Sequence, residues 1–214
     1  MENTPTLSVT ITEGLPSDTA TLQRCLKDAS VIFMCIASNE SKQGTSISYD
    51  TATSVITALQ SLRNSQEPTS YTKPTLLELR SASLNKVAAA KQPWLLSTFV
   101  HFCLQYCYAD LQNACDLLSS TTADDADLLD YIIVDPGALH SPNGTTRTGH
   151  SLSLTEGSPG VMYADLGAAF CEIAERRAEF RGQAVLVSSV GEVTETWGVL
   201  AGYLGQGALG RVWG

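Results

Sequence analysis

Short β-type runs alternate with stretches of helical period along this chain. Residues 7–14, "LSVTITEG", alternate apolar and polar positions and stop at a glycine, which predicts a strand. Residues 17–29, "SDTATLQRCLKDA", open with the capping types Ser17 and Asp18 and bring Leu22, Cys25, Leu26 and Ala29 onto one helical face. The run 30–38, "SVIFMCIAS", is continuously apolar, as in a strand covered on both faces. A second amphipathic helix is predicted over 48–64, then a polar loop over 65–74 and a strand over 75–81. A connection interrupted by Pro93 leads into a long helix from Trp94 to Leu118, an acidic turn, and a strand over 131–139 halted by Pro136-Gly137. Residues 140–160 are rich in Gly, Ser, Thr and Pro and read as a loop or lid. A helix over 163–180, a strand over 183–189 and a C-terminal helix close the chain.

This alternation predicts an α/β fold of three layers around a mostly parallel sheet of about five strands. With 214 residues, 43% of them hydrophobic, the chain can bury one sizeable core, so residues 1–214 are read as a single domain. A net charge of −9 without any basic cluster argues against nucleic acid or an anionic membrane as partner, because both select positive fields. The N-terminus lacks a basic segment followed by a long apolar one, and no later stretch approaches the roughly 18 uncharged apolar residues of a membrane span. A cytoplasmic protein is expected. The six cysteines form no C-x-x-C pair and fall on predicted helices or strand cores, which suits reduced, buried thiols. Cys103 and Cys107 stand at i,i+4, but no second His or Cys pair completes a metal site.

The strand at 75–81 carries Glu78 and Arg80, which share a face because their spacing is two. A charge in a sheet covered on both sides needs a partner. The pair can satisfy itself, or meet Asp135 at the end of the next strand in space. One reading is a plain salt bridge on a solvated or subunit-facing surface; the other is a proton-handling site in which Arg80 orients an acid. On the long helix, Phe102, Tyr106, Asp110 and Asn113 mark one stripe, while Leu104, Tyr108, Leu111, Cys115 and Leu118 mark the stripe expected to be buried. His101 is a candidate base or a structural histidine, and His140 sits beyond a strand end. No G-x-S-x-G elbow is present, which argues against a serine hydrolase. Gly205-x-Gly207-x-x-Gly210 follows no strand and reads as a helix ending rather than a phosphate cradle.

The segments "DASVIFMCIAS" (28–38), "LRSASLN" (79–85), "YADLQNA" (108–114), "VDPGALH" (134–140) and "YADLGAAFCEIAE" (163–175) occur in an order and spacing that resembles the NmrA-like, atypical short-chain dehydrogenases, a group of NAD(P)-binding Rossmann proteins. The resemblance implies a truncated Rossmann-like fold, because the chain aligns from the third strand of that family and shows no G-x-G-x-x-G loop of the kind that grips a pyrophosphate. Such a truncation would let strand 7–14 pair beside 30–38 and leave an edge for a second copy to cover, so a homodimer is expected. Reducing members place a Lys four residues after a catalytic Tyr; here Tyr106 is followed by Asp110 and Tyr108 by Gln112. The reading that follows uses no cofactor. Similar cofactor-less fungal relatives act as cyclases of secondary metabolism, including hydroalkoxylating enzymes of phenalenone pathways, which implies acid/base ring closure on an aromatic polyketide. In that scheme Asp135 is the acid, Arg80 and Glu78 tune it, and Tyr108 or His140 handles the hydroxyl proton. Ser38, Asn39, Ser81, Ser83, Tyr106 and Arg147 are the expected substrate contacts. The alternatives are an NmrA-like regulatory binding protein and a piece of an NAD(P)-dependent reductase.

Overall fold

The computed structural model describes residues 8–38, 40–67, 70–140, 145–193, 201–202 and 204–209. Helix α1 (Thr19–Leu26) starts at Asp18, whose carboxylate accepts the Thr21 N–H, as the capping types predict. Strand β1 (Val31–Met34) follows, then helix α2 (Ile47–Ser65) and strand β2 (Thr75–Leu79). A 3-10 turn (Ala82–Leu84) and the short helices α3 (Lys86–Ala89) and α4 (Trp94–Cys103) lead to the long helix α5 (Gln105–Asp124). Strands β3 (Asp130–Pro136), β4 (Ala138–His140), β5 (His150–Ser153) and β6 (Gly160–Met162) precede helices α6 (Tyr163–Glu175) and α7 (Arg177–Phe180) and strand β7 (Ala184–Ser189).

The main sheet runs β1-β2-β3-β7-β5, parallel except for β5, and β4 and β6 form a small parallel pair. Successive residues of each strand face opposite layers. Leu76 enters the layer of α1, α2 and α5 with Val55, Leu59, Leu118 and Leu128. Leu77 enters the layer of α6 with Ile132, Val134, Phe170 and Ile173. Each such side chain withdrawn from water contributes about 2 kcal/mol, and the two clusters together hold the three layers. The parity carries on toward the strand ends: Glu78 and Arg80 continue the Leu76 row, so their side chains belong to the α2/α5 layer.

The structure departs from the sequence pattern at several places. Residues 8–15 form no strand and lie exposed. Among the described residues β1 is an edge strand, and Phe33 on it is 50% exposed rather than covered on both faces. The helix expected over 94–118 is two helices that break at Leu104, where the Ser41 hydroxyl accepts the Tyr106 N–H in the first turn of α5. The expected loop over 140–160 contains β5, which pairs antiparallel with β7 and closes the other edge of the sheet. Three cysteines, Cys25, Cys35 and Cys171, are exposed, while Cys103, Cys107 and Cys115 are buried. Among the described residues no helix is long and apolar enough to cross a membrane, and no group of three metal-ligating side chains gathers.

Candidate functional site at the carboxyl ends of β2 and β3

Parallel sheets leave their ligands at the carboxyl ends of the strands. At that end β2 runs on into Arg80 and Ser81, and β3 ends in Asp135-Pro136. The Arg80 guanidinium donates through Nε and Nη2 to the two oxygens of Asp135, at 2.9 and 2.7 Å. This fork-to-fork pair is nearly out of water, with 8% and 0% of the side chains exposed. Asn85 Nδ2 donates to Asp135 at 2.8 Å, while its Oδ1 accepts the Val87 and Ala88 N–H groups and so caps α3. The pair with Asp135 holds the Arg80 guanidinium above its ordinary value although burial alone would lower it. Asp135 therefore has a carboxylate fully engaged by the protein, and its place is behind the site, fixing Arg80 and Asn85.

Glu78 does not join this pair. Its side chain is completely buried and neither carboxylate oxygen has a hydrogen-bond partner. Burial first, and then the Asp110 carboxylate nearby, push its carboxyl up to about 9 against the opposing influence of Arg80. Glu78 is thus a neutral carboxylic acid at pH 7. The expectation that it would share Arg80 or Asp135 fails because Asp135 already takes both prongs of the guanidinium. Asp110, read from sequence as one member of an open stripe, is buried instead and accepts the Ser48 and Tyr49 N–H groups at 2.9 Å each. It places a carboxylate at the N-terminus of α2, where the helix dipole favours one.

Beside this core lies a cleft of ≈ 480 Å³ bounded by Leu84 on the 3-10 turn, Phe102 and His101 on α4, and Gln105, Tyr108 and Gln112 on α5. The Tyr108 hydroxyl is 3.4 Å from the Ser81 hydroxyl, and Ser81 also accepts the Ser83 N–H. Burial pushes the Tyr108 phenol up, with Ser81 and Ser83 drawing it partly back. Gln112 occupies the position four residues after Tyr108 and takes an Arg80 N–H at 3.4 Å. The His101 ring meets Tyr108 edge to face, with centroids 5.4 Å apart. The structure therefore gathers Arg80, Ser81, Ser83, Tyr108 and Asp135 into one neighbourhood, with Glu78 beneath.

Other expected site residues lie apart. His140 is buried on β4, its ring against Gly160. Ser38 closes its own turn with Glu40, and Asn39 lies outside the described residues. Tyr106 is half-buried and is tied through its backbone to Ser41. Arg147 is exposed in the segment before β5. Asn85 and Gln112 were absent from the expected site. The signal for Asn85 was an Asx residue opening a helix, and for Gln112 its spacing from Tyr108.

The fold raises the question of a dinucleotide. The described residues do not fit one: residues 35–46, between β1 and α2, hold Gly44 as their single glycine, and Gly205 and Gly207 lie within the helical residues 204–209.

No family model matches the chain. Averufin oxidase A of Dothistroma septosporum is 43% identical over 223 residues, a match that covers 99% of this chain and 78% of that protein. Averufin oxidase A of Aspergillus flavus is 43% identical over 213 residues, covering 99% of this chain and 74% of its own length. A short-chain dehydrogenase/reductase of Veillonella parvula, solved in complex with NADP, superposes with a TM-score of 0.59 at 18% identity, covering 85% of this chain and 73% of that one. That structure shares the fold, and the 43% identity over 99% of this chain shows that the chain belongs to the averufin oxidase A family.

Proposed function

We propose that this chain is an enzyme of fungal secondary metabolism that binds an aromatic polyketide in the cleft between the 3-10 turn, α4 and α5 and performs acid/base chemistry at a substrate oxygen without a cofactor. The observation that carries this reading is the Tyr108 phenol. It faces the cleft, is held by Ser81, and is kept protonated by burial, with an amide at the place from which a Lys would lower it. A neutral phenol is a hydrogen-bond donor and a weak acid, suited to a carbonyl or enolate oxygen. The cleft walls match a flat, uncharged ring system: Leu84 and Phe102 offer apolar area, and Gln105 and Gln112 offer amides for ring oxygens. Isomerisation through an enol, or ring closure onto a carbonyl, fits these groups. Hydroalkoxylation of an alkene needs a stronger acid to protonate carbon. Asp135, the acid expected from the sequence, is enclosed by Arg80 and Asn85, so in this reading it acts as a positioning residue.

A second reading is favoured by the names of the relatives, which are oxidases of averufin. In it Tyr108 exchanges the proton of the same substrate oxygen while the substrate changes oxidation state. Aerobic incubation of the purified chain with averufin and related aromatic polyketides, without nucleotide, with NADPH and with NADP⁺, separates the two by product mass. Turnover with no mass change and no added nucleotide supports the acid/base reading. A product that has gained two hydrogens with NADPH, lost two hydrogens with NADP⁺ or O₂ as acceptor, or gained oxygen refutes it. Tyr108→Phe is expected to lower turnover about 100-fold or more, the usual scale for a lost acid, with the melting temperature unchanged.

A further inference from the structure

His101 lines the same cleft as Tyr108 and packs against its ring at 5.4 Å and 77°. Its Nδ1 lies 2.9 Å from the Ser97 carbonyl oxygen, one turn back on α4. A carbonyl only accepts, so Nδ1 must carry the proton, and the neutral ring then presents Nε2 as an unprotonated lone pair. No carboxylate or ammonium lines this cleft; the imidazole and the Tyr108 phenol are its two titratable groups. The backbone that fixes the tautomer is the middle of a regular helix, so the basic nitrogen is defined before any ligand arrives.

We propose that His101 is the general base of this site and that its substrates are neutral phenolic ketones with an acidic C–H next to the carbonyl. The inference rests on the reading of this cleft as the catalytic site. His101 Nε2 removes the proton from the carbon, the C–H electron pair becomes the carbon–carbon double bond as the carbonyl π pair moves onto oxygen, and the resulting enolate oxygen is held by the Tyr108 O–H. The imidazolium then returns the proton to the same or a conjugated carbon. The step is redox-neutral and needs no further reactant. Base and acid stand on α4 and α5, and the break between these helices at Leu104 is what turns the two rings toward each other.

The test uses the full chain and 6-hydroxy-1-tetralone, a bicyclic phenolic ketone. Hydrogen–deuterium exchange at the carbon beside its carbonyl is followed by proton NMR in D₂O, and its binding by quenching of protein fluorescence. The wild-type protein is expected to accelerate exchange. His101→Gln should keep binding and melting temperature and lose about 100-fold or more in exchange rate. Imidazole added to His101→Ala should restore part of the rate. Exchange that Tyr108→Phe abolishes and His101→Gln leaves unchanged overturns the role of His101 while sparing that of the cleft. A wild-type protein that neither binds the ketone nor exchanges its proton overturns both.

Discussion

Glu78 offers the sharpest physical test of the structure. Its carboxyl is buried without a hydrogen-bond partner and its pKa is raised from 4.5 to about 9. The folded state keeps this proton, whereas the unfolded chain releases it above about pH 4.5. Stability from this group is therefore fully present below the unfolded pKa and is lost as pH rises toward and through the folded one. At about 1.4 kcal/mol for each pH unit between the two values, the ceiling on the loss is about 6 kcal/mol, a large part of the stability of a domain this size. Glu78→Gln preserves shape and polarity but cannot titrate. Urea unfolding of the two proteins at a series of pH values should show the wild-type advantage over Glu78→Gln shrinking by about 3 kcal/mol from pH 5 to pH 7 and shrinking further toward pH 9. Taking the difference removes the contributions of all other groups. Glu78→Leu, which fills the space without a carboxyl, should be more stable than wild type at pH 8 by about 1–4 kcal/mol. A difference between wild type and Glu78→Gln that stays constant across the range would refute the argument, since it would mean that Glu78 is hydrated or paired.

Removing one half of the buried pair behind the cleft should be costly. Arg80→Met strands the Asp135 carboxylate, and a loss of about 3–5 kcal/mol in urea unfolding is expected. Asp165 accepts the N–H groups of Thr148 and Gly149 and the hydroxyls of Thr148 and Ser189, which together hold its carboxyl below the ordinary range despite burial. Asp165→Ala should destabilise by about 3 kcal/mol and raise hydrogen exchange at Thr148 and Gly149. The sign for this group is opposite to that of Glu78: its contribution is present above the unfolded pKa and fades on acidification. A Cβ on Gly137 would stand 2.5 Å from the Ser158 carbonyl oxygen, so Gly137→Ala should lower the melting temperature by several degrees by forcing backbone apart.

The sequence by itself settled what depends on neighbours along the chain. Asp18 caps α1, the period of 48–64 gives α2, and the apolar runs read over 75–81, 131–139 and 183–189 contain the buried parallel strands β2, β3 and β7, because capping, helical period and two-sided burial are written locally. The pairing of Arg80 with Asp135 was also legible, since parallel strands with known ends bring such residues side by side. Residues 8–14 alternate like a strand yet form none, because a strand exists through its partners and none stands beside them. The burial of Glu78 and Asp110 was likewise hidden. Their chemistry is set by which helices cover β2, and by Asp135 having taken the guanidinium first. Only the packing of α4 against α5 decided that Tyr108 meets Ser81 and His101 across a cleft, because long-range contacts, absent from any local pattern, fix which side chains converge.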